Sequence, residues 1–182
     1  QKRILFVGHI FSYHPVLAKI KRLTKHEPFK HANFVWNKWG TFNEDLMLNL
    51  GCHDIAIALD LLGTPIKVEV LENRNIVSTS DIVFTRLSFK GGKSATIYIN
   101  RASNFKNKTV TLVTAKNVYS WENDKLLKLD KKTNSLKLIY KSTKTTLEVE
   151  CAEFIKCLQK NKKPHTSGEF GLGVVKVLSK IA

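Results

Sequence analysis

The sequence predicts an α+β fold: a twisted, mostly antiparallel sheet with helices on one face, preceded by a strand–helix unit of a βα array. Three observations carry this. Seven short segments with period-two alternation follow one another between residues 66 and 140, joined by connections short enough to require antiparallel neighbours. Helical periodicity precedes that run at residues 44–63 and returns twice after residue 145. The first 23 residues read as strand, loop and helix.

Taken in order, Arg3–Gly8 is a short continuous apolar run, the pattern of a buried strand. His9–Tyr13 reads as a loop, Pro15 suits the first turn of a helix, and Val16–Leu23 carries apolar residues at helical spacing. Asn33–Lys38 alternates as a strand. The stretch 44–63, EDLMLNLGCHDIAIALDLLG, predicts one amphipathic helix, with Asn43 as N-cap, Glu44 and Asp45 at the positive end of its dipole, and Gly63 and Pro65 closing it. Asn49 and His53 fall one turn apart on that helix, and an imidazole at a cleft wall can exchange a proton near neutral pH.

The predicted strands are Ile66–Leu71, Ile82–Phe89, Ser94–Arg101, Lys108–Thr114, Asn117–Glu122, Lys125–Asp130 and Ser135–Tyr140, separated by turns such as Lys90-Gly91-Gly92 and Asn123-Asp124. Two helices follow, Thr146–Asn161 and Phe170–Ile181, the second introduced by Thr166-Ser167-Gly168-Glu169 as a capping box.

Composition bounds the function. With 182 residues and 43% hydrophobic residues the chain can build one core. Its longest apolar stretch is far too short to span a bilayer, and its start lacks the apolar region of a signal peptide, so a cytoplasmic protein with no membrane partner is expected. Cys52, Cys151 and Cys157 form no metal-type spacing, so buried free thiols and no metal site are expected. The net charge of +15 raises a polyanion-binding module as an alternative. Against it, only five of the thirty basic residues are arginine, the lysines are spread along the chain, and no nucleic-acid-binding motif occurs. His26, His31 and His165 read as surface residues.

No G-x-G-x-x-G follows a strand; Gly168–Gly173, GEFGLG, has no strand before it. Walker A, H-E-x-x-H and G-x-S-x-G patterns are absent. Four segments instead resemble, in order, the Gfo/Idh/MocA oxidoreductase family, the glucose–fructose oxidoreductase and inositol dehydrogenase group. Gly8-His9-Ile10-Phe11-Ser12-Tyr13-His14-Pro15 resembles the segment that closes the family's Rossmann domain. Leu48-Asn49-Leu50-Gly51-Cys52-His53-Asp54-Ile55, running on to Leu62-Gly63, resembles its D-x-x-x-H helix. The strands around Ile97–Thr114 resemble its central sheet, and Glu153-Phe154-Ile155 with Asn161–Pro164 and Ser167–Leu178 resembles its ending.

The resemblance covers nearly the whole chain and implies the C-terminal part of an NAD(P)-dependent oxidoreductase of sugars, sugar nucleotides or cyclitols. It implies residues 1–31 as the end of a Rossmann-type domain and 32–182 as a substrate-binding and oligomerisation domain, a homodimer or higher oligomer through the sheet. His53 matches the family histidine and is the implied catalytic acid/base. Asn49 stands where the family has aspartate; an amide can orient a sugar hydroxyl but cannot take its proton. Tyr13, Trp36 and Asn37 fall at implied substrate-contacting positions. No segment matches the cofactor-binding βαβ units or the E-K-P lysine, so NAD or NADP serves the complete enzyme in this reading and this chain alone binds neither tightly. A catalytically silent scaffold or sugar-binding protein of the same fold is the other alternative.

Overall fold

The computed structural model describes residues 3–181. Among them an eight-stranded sheet holds the centre: β1 (Phe29–Trp39), β2 (Lys67–Arg74), β3 (Ile82–Ser88), β4 (Ser94–Asn100), β5 (Ala102–Thr114), β6 (Val118–Glu122), β7 (Lys125–Asp130) and β8 (Ser135–Lys141). Their spatial order is β2-β3-β4-β1-β5-β6-β7-β8. The run from β2 to β8 is a meander, as its short turns dictate. Into its middle the earlier strand β1 inserts, antiparallel to β5 and parallel to β4, with Phe34 beside Ile97 on one side and Val110 on the other. The single parallel pair arises because β1 reaches β4 through a long connection that includes a helix, which hairpin turns cannot provide.

Alternation sorts the two faces. Ala32 and Phe34 of β1, Ala95, Ile97 and Ile99 of β4, and Val110 and Leu112 of β5 point to one side and are fully buried or nearly so. Against them pack α1 (Pro15–Leu23), through Val16, Leu17 and Ile20, and α2 (Cys52–Leu62), through Ile55, Ile57 and Leu62. Beyond them lie α3 (Thr146–Gln159) and α4 (Gly168–Leu178). On the opposite face His31 Nδ1 meets Ser94 Oγ at 2.8 Å and Thr96 donates to Asn33 at 2.8 Å, so His31 is half-buried in a sheet-face network rather than a free surface residue.

Several local expectations are corrected. Arg3–Gly8 forms no regular element and pairs with no strand among the described residues; Val7 N–H donates to the Thr166 carbonyl at 2.8 Å and Phe6 stacks on Tyr13. An apolar run alone does not distinguish a ladder strand from an irregular segment packed on helices. The predicted strand–helix unit is therefore an irregular segment, a 3-10 turn at Ile10–Tyr13 and α1. Its predicted limit at residue 31 falls inside β1. The Gly168 and Gly171 backbones let this segment lie against α4: an added Cβ would come within 2.6 Å of Leu5 and 3.1 Å of Val7. Thr166 and Glu169 form no capping box, because the Thr166 hydroxyl donates to the Val7 carbonyl. The capping box of this region is instead Thr145 with Glu148, at the start of α3. Cys151 is exposed; of the three free thiols only Cys157 is buried.

The helix over 44–63 begins later than predicted. Asp45 rather than Asn43 caps it, its Oδ1 accepting from Leu48 N–H at 2.7 Å, and Met47–Gly51 forms a π turn before α2. The approach to that turn is fixed from beside the sheet by Arg101, fully buried between β4 and β5. Its Nη1 donates to the carbonyls of Thr41 at 2.7 Å and Glu44 at 2.6 Å, Nη2 to Ser78 Oγ at 2.7 Å and the Ser80 carbonyl at 2.6 Å, and Nε to Asp81 at 3.0 Å. Asp81 also accepts from the backbone N–H groups of Ile76, Val77 and Ser78. Burial alone would raise its pKa; the Ser78 hydroxyl and these N–H donors hold it well below the usual carboxylate range. This hub clamps the loop at residues 40–44, where Thr41 adopts a left-handed φ of 64°, against the loop before β3.

Candidate functional site

The cleft forms where the 3-10 turn, β1, β5 and β6 meet, and His53 of α2 packs behind the Phe11 and Trp36 that line it. Trp36 lies directly opposite Lys108 in the β1–β5 register, both on the helix-facing side. α2 sets His53 above them. Its imidazole packs edge-on against Phe11, with ring centroids 5.1 Å apart, and lies 6.0 Å from Trp36. The Lys108 ammonium rests 3.6 Å from the centre of the Trp36 ring and 4.8 Å from that of Phe11, a close cation–π arrangement. It is also ion-paired to Asp54, the residue after His53, whose side chain is 1% exposed.

A cavity of about 500 Å³ opens beside this cluster, walled by Phe11, Trp36, Lys108, His14 and Trp121. His14 serves α1 as well: its Nδ1 accepts from Val16 N–H at 3.1 Å, and its ring lies 4.8 Å from Trp121. The volume suits a small polar ligand. Indole faces flanking such a space offer stacking surface to the C–H side of a polyol, and an ammonium offers donors to its oxygens.

Electrostatics follows from burial. Desolvation, aided by the Lys108 and His9 charges, lowers the His53 pKa to about 4, so the ring is neutral at pH 7. Desolvation likewise lowers His14 to about 4. Burial pulls Lys108 down and pushes Asp54 up, each opposed by the partner's charge. Two buried atoms here, His53 Nδ1 and Asp54 Oδ2, have no hydrogen-bond partner among the described residues.

Of the residues singled out in the sequence, the structure brings His53 and Trp36 together. Asn37, the next strand residue, turns to the other face, where its Nδ2 donates to Asn107 at 2.8 Å. Asn49 donates to Glu44 instead of facing the cavity. The Tyr13 hydroxyl is 2.7 Å from Thr166 Oγ1 and holds the chain's two ends together. Lys108, Asp54, Phe11, His14 and Trp121 were not singled out. The phase of β5 carried a signal for one: Lys108 shares its face with Val110 and Leu112, so a lysine falls on the core-facing phase.

No protein-family model matches the chain, and no curated protein does. Solved structures do. The UDP-N-acetylglucosamine 3-dehydrogenase GnnA of Acidithiobacillus ferrooxidans superposes with a TM-score of 0.86 at 16% identity, over 98% of this chain and 60% of that one. An oxidoreductase from Agrobacterium radiobacter, solved in complex with NAD+, L-tartaric acid and magnesium, gives 0.78 at 14% identity, over 97% of this chain and 61% of that one. The aldose-aldose oxidoreductase of Caulobacter crescentus, complexed with glycerol, gives 0.80 at 14% identity, over 98% and 61%. The chain thus spans about three fifths of the length of these proteins and shares their fold over that part.

Proposed function

We propose that this chain is the substrate-binding and oligomerisation domain of a cytoplasmic NAD(P)-dependent oxidoreductase acting on a sugar or sugar nucleotide. In this reading residues 1–31 lead in from the cofactor-holding part and residues 32–182 carry the substrate wall and a homo-oligomeric sheet interface. One observation carries it. His53 and Trp36, contributed by separate elements, meet beside a cavity of ligand size in a fold whose solved examples include sugar oxidoreductases.

The described residues do not themselves fit a dinucleotide. Gly168 and Gly171 serve the close approach of Leu5 and Val7, and Gly8 follows a segment that pairs with no strand. The nicotinamide belongs to the rest of the site, and this chain's residues handle the substrate and its proton. Alcohol oxidation removes a proton from oxygen, and a neutral imidazole can accept it. Oxygen becomes strongly acidic as its carbon turns into a carbonyl, so even the weakly basic His53 suffices. Trp36 supplies a stacking face for the ring. Asn37 supports Asn107, which lines the cavity, while Tyr13 and Asn49 are engaged with Thr166 and Glu44.

The test is titration of the chain with UDP-N-acetylglucosamine, glucose and myo-inositol, followed by tryptophan emission. At least one saturates, His53→Ala and Trp36→Ala each weaken it by about tenfold or more, and NAD(H) and NADP(H) do not bind tightly. If none of the three saturates, the reading falls. A catalytically silent sugar-binding scaffold is the second reading, favoured by the engagement of Asn49 with Glu44, which leaves His53 without the carboxylate partner of the family motif.

A further inference from the structure

The geometry points to Lys108 as a ligand-binding amine of the cleft, one that donates to an oxygen of a polyol seated in the cavity. This rests on the reading of the cleft as a polyol site and adds to it a residue that the family motif does not contain.

Lys108 occupies a position meant for an apolar side chain. Its phase in β5 is that of Val110 and Leu112, both buried. A buried ion pair is poor value for stability alone, because desolvating two charges offsets most of their attraction. Where a fold keeps such a pair, its remaining hydrogen-bond capacity shows whether the pair is finished. This one is not. The ammonium has three donors and one protein acceptor, Asp54 Oδ1. Asp54 Oδ2 and His53 Nδ1, on adjacent residues of α2, are buried without partners among the described residues. The other neighbours of the ammonium are the Trp36 and Phe11 ring faces, which attract the cation but accept its N–H groups far more weakly than an oxygen does.

The pair is also not sealed. The Lys108 side chain keeps 16% of its surface exposed and lines the cavity of about 500 Å³, while Asp54 behind it keeps 1%. An anchored carboxylate on the inner side, two aromatic faces beside it and an open cavity on the outer side orient the spare donors toward whatever enters. A hydroxyl or carbonyl oxygen there would complete the ammonium, separated from the imidazole by the Phe11 and Trp36 rings that His53 packs against. A purely anionic ligand is not required, since Asp54 already balances the charge.

Trace acetylation with acetic anhydride across a pH series, read lysine by lysine by mass spectrometry on the folded chain, decides this. Lys108 is expected to react in the native state, with its midpoint moved down by burial. Lys108 inert at every pH, while exposed lysines react, would mark a closed structural pair and overturn the inference. The second arm adds saturating UDP-N-acetylglucosamine, expected to slow Lys108 labelling at least fivefold and leave Lys131 and Lys132 unchanged. Saturable binding without that protection also overturns it. If UDP-N-acetylglucosamine does not bind, the sugar reading suffers, and the native labelling of Lys108 still stands or falls alone.

Discussion

Two buried ion pairs lie on the same sheet and do opposite things. Arg101 and Asp81 are both essentially inaccessible, and every donor of the guanidinium has an acceptor. Lys108 and Asp54 are nearly as deep, yet they leave a carboxylate oxygen and two ammonium donors unused beside a cavity. The first pair fastens loops; the second borders a cleft. Depth does not separate a structural pair from a functional one here. Completeness of hydrogen bonding does.

The sharpest way to break the comparison is to delete the arginine. Arg101→Ala strands a buried carboxylate and three backbone carbonyls, and is expected to cost about 3–5 kcal/mol in urea unfolding or to prevent folding. Next comes replacement of both partners. Asp54→Leu with Lys108→Met should be neutral or stabilising by about 1–3 kcal/mol while abolishing ligand binding. Asp81→Leu with Arg101→Met should stay strongly destabilising, because the backbone groups around it lose their partners. Equal outcomes for the two double variants would erase the distinction.

Acid should separate the two regions as well. His53 and His14 titrate near 4 in the folded chain and near 6.5 when unfolded. The unfolded chain binds more protons between those values, so stability falls as pH drops from about 6.5 to about 4. Asp81 is shifted in the same direction from a lower starting value: its contribution is full above the unfolded carboxylate pKa and is lost only at lower pH still. Imidazole proton shifts followed by NMR, with urea midpoints at pH 7, 5.5 and 4.5, should show the cleft weakening first. The smallest effect belongs to a site remote from both pairs. Thr145→Ala removes the capping box of α3, costing about 1 kcal/mol and leaving cleft affinity unchanged.

Much of the fold was legible because period-two alternation and turn residues act locally. The strands from Ile82 to Asp130 fall within a residue of where their patterns put them, except β5, which begins at Ala102 rather than Lys108. His53 was legible through its place in a helix motif, and Trp36 through its strand. The hub and the cleft cation were harder to see. Arg101 and Lys108 each continue the core-facing phase of an apolar series, Ala95-Ile97-Ile99 and Val110-Leu112 respectively. Read strictly, that phase buries a charge, and a buried charge needs a partner. The partners, Asp81 and Asp54, lie 20 and 54 positions earlier, and only the topology reveals them. The π turn at Met47–Gly51 left no such trace, since hydrophobic spacing does not register one added residue per turn.

The insertion of β1 between β4 and β5 has a consequence for synthesis. His31 waits for Ser94, 63 positions on, and Asn37 for Asn107, 70 positions on. At ribosomal speeds that interval lasts roughly 3–14 s. Through it α2 has emerged with Ile55, Ile57 and Leu62 and no sheet to cover them. The nascent chain then exposes those apolar side chains, and α2 is made long before the sheet it packs on.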